Sequence, residues 1–265
     1  MGRTAKLDRV RLAGLPFLCR FENPTLPGMV LGSGLMASAF SAFATDDRYR
    51  VIAAGVSNSK ERNAAAYARE QRMIEALPVD GGKVVYLGTC SIFDTALAGS
   101  PYLEHKRAME LLVHTRFADA MVLRLPNILG RSVNPHTLLN NFRDRILRGL
   151  PIDIQMGACR FVLDQRELVR VLPLLLGHTP FRGHSINICY DAPVPVHRLL
   201  ALLEQVLDRK AVVQQVPGGA CYPVVNTEFC GLLRTHGIAQ PDEADLLRCV
   251  RDHYAQDAKQ DTGSH

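Results

Sequence analysis

At 265 residues, with 47% hydrophobic and 22% charged residues, the chain is long enough for one α/β domain with a smaller appended region. Its formal charge of +5 comes without a basic stripe interleaved with aromatics, which points away from nucleic acid and leaves anionic small molecules as partners. No apolar run approaches the roughly 18 residues that cross a bilayer, and seven scattered cysteines with no C-x-x-C pair argue against a disulfide framework and for a reducing compartment, the cytoplasm.

Residues 1–28 are rich in arginine, contain Pro16, Pro24 and Pro27, and show no helical or strand period, so they are read as a poorly ordered extension. The apolar stretch 12–19 is short and no small-residue cleavage site follows it, so no targeting peptide is expected; Met29 is a candidate start of translation. From there the period is α/β: strand 29–31, helix 35–43, strand 50–55, helix 62–77, strand 83–87, helix 101–115 and strand 120–125. A helix at 136–148, a strand at 151–155, a helix at 164–175, a strand at 184–189 and helices at 196–207 and 242–254 follow. Strands alternating with helices require crossovers and therefore a parallel sheet. The expected layout is a dinucleotide-binding core over 29–130, a substrate-binding region over 131–255 interleaved with the last core strands, and a frayed tail over 256–265.

Three sites carry chemistry. Gly32-Ser33-Gly34-Leu35-Met36-Ala37 stands at the first strand–helix junction. There Gly32 would make the tight turn, Gly34 would let backbone approach a pyrophosphate, and Ala37 would allow close helix–strand packing. Tyr102 and Lys106 are one helical turn apart on one face. A nearby ammonium favours the phenolate and brings tyrosine toward working range as an acid/base. Thr89 ends the preceding strand, where its hydroxyl would bind the same reacting oxygen. Cys90 lacks a histidine partner at a motif spacing and reads as a small buried thiol; the nine histidines form no metal spacing, so no metal is expected.

Four ordered segments carry a family resemblance: Val84 to Phe93 around Thr89, Ser100-Pro101-Tyr102 with Lys106, Leu123-Arg124-Leu125-Pro126-Asn127-Ile128-Leu129-Gly130, and Arg160-Phe161-Val162 through Asp164 with the helix after it. From residue 29 to about residue 200 the chain resembles the extended short-chain dehydrogenase/reductase family, in its nucleotide-sugar epimerase/dehydratase branch. The resemblance implies a Rossmann-like, doubly wound parallel sheet with a small C-terminal substrate-binding region. It implies Tyr102 as general acid/base, Lys106 on the nicotinamide ribose, and Thr89 as third member. Contacts to NAD or NADP fall on Gly32, Gly34, Leu35, Ala37, Ala54, Gly55, Tyr102, Lys106 and Pro126. Contacts to a nucleotide sugar fall on Ser57, Ser91, Asn127 and Arg160. The apolar stripe of the Tyr102 helix, Ala108, Leu111 and Leu112, reads either as core or as the face of a homodimer, since members of the family often pair through this helix.

Two departures matter. Only about thirteen residues separate Ala37 from Val51, too few for the two further strands of the family, so the sheet is expected to be trimmed on its adenosine side. Asp46 and Arg48 are then the remaining candidates for the adenosine ribose, and the choice between NAD and NADP is unreadable. The second departure is the glycine turn, which follows G-x-G-x-x-A where the family has G-x-x-G-x-x-G and keeps the small third residue. Cys90-Ser91 replaces the Asp-Glu that follows the threonine in sugar dehydratases, which ranks dehydration below 4-keto reduction or 4-epimerisation in surface-polysaccharide synthesis. The competing class is a non-catalytic dinucleotide-binding regulator, which a trimmed sheet favours and an intact Thr89/Tyr102/Lys106 set opposes.

Overall fold

The computed structural model describes residues 28–132, 134–178 and 182–258. The core runs β1 (Met29–Leu31), α1 (Leu35–Ala39), β2 (Tyr49–Ile52), α2 (Ala64–Glu75), β3 (Lys83–Thr89), α3 (Pro101–Arg116), β4 (Ala120–Leu125) and β5 (Asn127–Leu129). After it come α4 (Leu138–Leu147), β6 (Pro151–Gln155), β7 (Cys159–Arg160), β8 (Val162–Asp164), α5 (Gln165–His178) and β9 (His184–Asn187). The chain ends with β10 (Val194–Pro195), α6 (Val196–Leu207), β11 (Val212–Val216), α7 (Thr227–Thr235) and α8 (Glu243–Tyr254).

One parallel sheet in the order β1-β2-β3-β4-β9 organises the molecule. Alternate side chains along its strands feed two cores, as the two-residue period of a strand requires. Val51, Val85, Met121 and Leu123 pack against Leu168, Leu172 and Leu175 of α5 and Phe229 and Leu233 of α7. Ile52, Val84, Tyr86 and Val122 pack against Ile74 of α2 and Met109 and Val113 of α3. Helices thus cover both faces, the doubly wound arrangement that parallel strands need. A third core joins α4, α6 and α8 to β6, and three two-stranded pairings, β5 with β8, β6 with β11 and β7 with β10, complete the region beyond the sheet.

β1 is an edge strand of this sheet. The trimming expected from the short spacing is therefore real: the chain passes from β1 to β2 through α1 and one 3₁₀ turn, Ser41–Thr45. The helix predicted over 35–43 stops at Ala39, because Phe40 leaves helical geometry to place its ring in the core, fully buried. Phe43 then packs edge-on against Tyr49, with ring centroids 5.6 Å apart, which turns the chain into β2 within a few residues.

Three further differences have simple causes. Helix α7 contains Thr, Cys and Gly in nine residues, weak helix formers whose order comes from burying Phe229, Cys230 and Leu233. Strand β11 is exposed along most of its length, so no alternation marks it, and it is held by parallel pairing to β6. Most of the predicted extension and residues 259–265 of the predicted tail lie outside the described residues. Residues 255–258 are ordered as a 3₁₀ turn, with buried Asp257 2.7 Å from Arg131, so the chain is not frayed there.

The cysteine reading needs a correction. Cys159 in β7 and Cys221 are joined in a disulfide, with Cα atoms 4.7 Å apart and 62 residues between them in sequence. That pairing is set by how β7 meets the loop before Tyr222 and leaves no motif in the sequence. Closing a loop of that length restricts the unfolded chain by up to about 4 kcal/mol in the chain-entropy view. Reduction is expected to lower the urea midpoint of the wild type and to leave a Cys159→Ser variant unchanged. Cys90, Cys189 and Cys230 are buried free thiols, as expected for Cys90; contact with Cys189 and burial push the Cys90 thiol well above its ordinary value.

Candidate functional site

The carboxyl ends of β1, β2, β3 and β4 bring the candidate residues to one edge of the sheet, the edge at which open parallel sheets bind ligands. At the end of β1, Gly32 has φ +132°, and a Cβ there would lie 2.9 Å from the Ala53 backbone. Only glycine fits that turn. Gly34 has open space where a Cβ would stand and caps α1. Ala37 is buried, and Leu35 lies against Gly130, with its carbonyl 3.3 Å from the Gln165 amide nitrogen that donates to it. A Gly32→Ala variant is expected to lose about 1–3 kcal/mol of stability from backbone strain and to lose nicotinamide-nucleotide binding; urea denaturation and ligand fluorescence read the two effects separately.

Helix α3 starts as its sequence dictates. Ser100 accepts a hydrogen bond from the Leu103 N–H at 3.3 Å and Pro101 occupies the first turn. That start fixes Tyr102 one residue into the helix, beside the end of β3. Tyr102 is buried, and Thr89 at the end of β3 acts on its hydroxyl. Thr89 Oγ1 also accepts from the Ser91 N–H at 3.1 Å. Burial, opposed by the Thr89 bond and reinforced by the nearby Glu70 and Tyr67, pushes the Tyr102 hydroxyl up to about 12.

Lys106 does not act as the sequence suggested. Its ammonium is buried and paired with Glu70 of α2, with Nζ 3.0 Å from Oε1 and 3.4 Å from Oε2. The same carboxylate accepts from the Val56 N–H at 2.7 Å and from the Tyr86 hydroxyl at 2.7 Å, and lies 2.9 Å from His105 Nε2. A carboxylate absent from the sequence argument thus pairs with the ammonium that was expected to draw Tyr102 toward the phenolate. Gly55 has its reason here too. A Cβ at that position would stand 2.7 Å from Lys106 Nζ and 2.8 Å from Glu70 Oε1.

The substrate candidates divide. Ser91 acts on the hydroxyl of the buried Tyr222, which burial pushes up to about 12, with Arg160 opposing and Asp94 reinforcing. Arg160 Nη2 is 3.7 Å from Asp94, and its Nη1 donates to the Cys159 carbonyl at 2.7 Å. Asn127 is tied to the Phe161 carbonyl through its backbone N–H at 3.0 Å and its side-chain amide at 3.3 Å, so it fixes β5 to β8. Ser57 is exposed and accepts from the Asn134 amide at 2.9 Å. Ala54 and Pro126 are half-buried at the ends of their strands. Asp46 and Arg48, the ribose candidates, form an ion pair with each other at 2.7 Å.

Glu70 and Tyr222 escaped the sequence reading. Glu70 carried a signal, since residues 70, 74 and 77 fall on one helical face with Ile74 and Leu77 inside. Tyr222 sits in an irregular segment with no period to read. Among the described residues no three His, Cys, Asp or Glu side chains gather to hold a metal, and no helix is long and apolar enough to cross a membrane.

No protein-family model and no curated protein matches the chain. Solved structures do. UDP-glucuronic acid 4-epimerase from Bacillus cereus, in complex with UDP-glucuronic acid and NAD, is 15% identical with a TM-score of 0.61 over 84% of this chain and 80% of that one. dTDP-glucose 4,6-dehydratase from Bacillus anthracis, in complex with NAD, is 16% identical with a TM-score of 0.60 over 85% and 78%. RMD from Pseudomonas aeruginosa, complexed with NADPH, is 18% identical with a TM-score of 0.57 over 79% and 82%. The chain has the Rossmann-like fold that these proteins share, with its sheet ending at β1.

Proposed function

We propose that the protein is an NAD(P)-dependent oxidoreductase acting on a nucleotide-linked sugar, of the 4-ketoreductase or 4-epimerase type. The observation that carries this reading is that the buried Tyr102 and the strand-end Thr89, which acts on its hydroxyl, stand at the carboxyl edge of the sheet that also carries the Gly32 turn. A buried tyrosine beside a strand-end threonine is suited to exchange a proton with a substrate oxygen. The likeness in fold to an NAD-bound sugar-nucleotide epimerase and dehydratase and to an NADPH-bound protein supports the same reading.

The residues fit one half of such a cofactor. Gly34 leaves open space where a pyrophosphate would approach, while Gly32 makes the tight turn against the Ala53 backbone, and Ala54, Gly55 and Pro126 stand at neighbouring strand ends. The adenosine half finds no further strands beyond β1 among the described residues. When bound, a reduced nicotinamide supplies a hydride to a carbonyl carbon. Tyr102 then gives its proton to the carbonyl oxygen, and Thr89 orients the Tyr102 hydroxyl. Arg160 and Tyr222 form the polar wall on the far side of Ser91, suited to a phosphate or sugar hydroxyl. Cys90 and Ser91 offer no carboxylate for dehydration, and the Cys90 thiol donates to the Arg124 carbonyl at 3.1 Å.

A second reading, a dinucleotide-binding regulator without turnover, is favoured by the edge position of β1 and by the capture of Lys106 by Glu70. Titration of the purified chain with NADH and NADPH, followed by nicotinamide fluorescence, tests the site. Saturable binding of either supports the oxidoreductase and opens a screen of nucleotide 4-keto sugars. Absence of binding to folded protein removes both dinucleotide readings. Binding without turnover across that screen favours the regulator.

A further inference from the structure

Residues 217–226, between β11 and α7, form no helix or strand, and Cys221 ties their middle to β7. Two successive glycines with left-handed backbone bring the segment in, Gly218 at φ +95° and Gly219 at φ +87°. The approach is close. A Cβ on Gly219 would stand 2.7 Å from the Ala158 nitrogen, and one on Gly157 would stand 2.8 Å from the Gly219 carbonyl oxygen. The Ala220 carbonyl accepts from the Cys159 N–H at 3.5 Å, beyond the usual range of such bonds. The disulfide therefore joins the residues directly before Arg160 and Tyr222. Arg160 reaches the buried Asp94 at 3.7 Å. Tyr222 buries its ring in a small cluster with Cys90, Phe161 and Cys189, its centroid 6.1 Å from that of Phe161. Cys90 directly follows Thr89, so this cluster lies against the candidate site.

The bond is also open to attack. Cys221 is exposed and Cys159 half-buried, and access is one condition for thiol–disulfide exchange. What the bond holds is a short irregular segment. Its other anchors are the Tyr222 ring, the long Ala220 bond and, further on, the Asn187 amide, which donates to the Val225 carbonyl at 2.7 Å. Segments with little regular hydrogen bonding open at the low end of local stability, so losing the covalent tie falls first on this one.

We propose that the Cys159–Cys221 disulfide is a redox site: a dithiol reductant opens it and frees the segment that carries Tyr222, which uncovers Cys90 and Cys189 and takes Tyr222 out of the wall it forms with Arg160. The opening does not rest on the oxidoreductase reading; its consequence for a sugar nucleotide does. A thiolate of the reductant attacks the exposed Cys221 sulfur. The S–S bond breaks, and its electron pair leaves on Cys159, which takes a proton from water. The second thiolate of the reductant then attacks the mixed disulfide and releases Cys221, which is protonated in turn. Two electrons pass to the protein, and the reductant departs as its own disulfide.

Three buried free thiols report on this opening. Cys90 and Cys189 lie in the Tyr222 cluster, whereas Cys230 lies in the core that α5 and α7 share. Full-length protein is compared as oxidised chain and after treatment with dithiothreitol and removal of the reductant. Each form is pulsed with N-ethylmaleimide, and peptide mass spectrometry reads the labelling of each cysteine. On reduction, the labelling rates of Cys90 and Cys189 relative to Cys230 are expected to rise at least about tenfold, and to return on reoxidation. Cys159→Ser/Cys221→Ser is expected to show the reduced ratio under either treatment; should it fail to fold, the reduced and reoxidised wild type decide alone.

An equal ratio in the two redox forms would overturn the proposal. So would three thiols that become equally reactive because the whole fold opens, or Cys159 and Cys221 that label fully before reduction. Absence of NADH and NADPH binding from both redox forms, with the thiol ratio still redox-dependent, would instead overturn the oxidoreductase reading and leave the redox site standing.

Discussion

Replacing Tyr102 by Phe is expected to lower turnover of a nucleotide 4-keto sugar by about 10²–10⁴-fold, the usual contribution of a positioned general acid, while NADH or NADPH binding is retained. The separation follows from the geometry. The Tyr102 ring packs with Val56 and Leu103 under the end of β2, and Phe fills the same volume. Thr89 keeps its bond from the Ser91 N–H after the substitution. The stability cost is then at most that of one hydrogen bond, about 0.5–1.5 kcal/mol. The glycine turn lies at the end of another strand and is untouched. Fluorescence titration and steady-state kinetics on the same preparation check both halves of the statement. Turnover equal to wild type refutes Tyr102 as the proton donor. Loss of binding along with turnover points instead to a collapsed site.

Much of this arrangement was legible before any coordinates, because the features that build it are local. Gly32 declares itself as the residue between a strand and a helix, Ser100-Pro101 as a cap and first turn, and the apolar pattern of 83–87 and 120–125 as buried parallel strands. The short interval between Ala37 and Val51 announced the edge at β1. What stayed hidden is pairing between distant segments. Glu70 becomes a site residue only when α2 is laid on α3, 36 positions away from Lys106. Cys159 finds Cys221 only through the folding of β7, and Tyr222 finds Ser91 only because the irregular stretch before α7 runs back over the sheet edge. The spacing of Tyr102 and Lys106 correctly placed both on one buried face. It carried no information on which charge Lys106 would meet inside.

The acid sensitivity of the fold is expected to pass largely through the same carboxylate. Burial raises Glu70, but the His105 bond, the Lys106 charge, the Val56 N–H and the Tyr86 hydroxyl together hold it at about 2, against an ordinary 4.5. A depressed carboxylate stabilises the folded chain fully above its unfolded value and loses that contribution as pH falls through the folded one. Here the window runs from about pH 4.5 down to about pH 2, and the contribution is on the order of 3 kcal/mol. Asp164 is also held below its ordinary value, with burial opposing bonds from His253 and Arg166, and adds to the same acid loss. Comparison with Glu70→Gln isolates the first effect, because Asp164 is common to both proteins. At pH 7 the variant is expected to be less stable by about 3–5 kcal/mol, the cost of leaving a buried ammonium unpaired. Between pH 6 and pH 3 the gap is expected to narrow by about 2 kcal/mol as the wild type alone gives up its carboxylate. Urea unfolding at a series of pH values measures both quantities. Parallel stability curves for the two proteins would show that the folded chain does not hold Glu70 below its ordinary value.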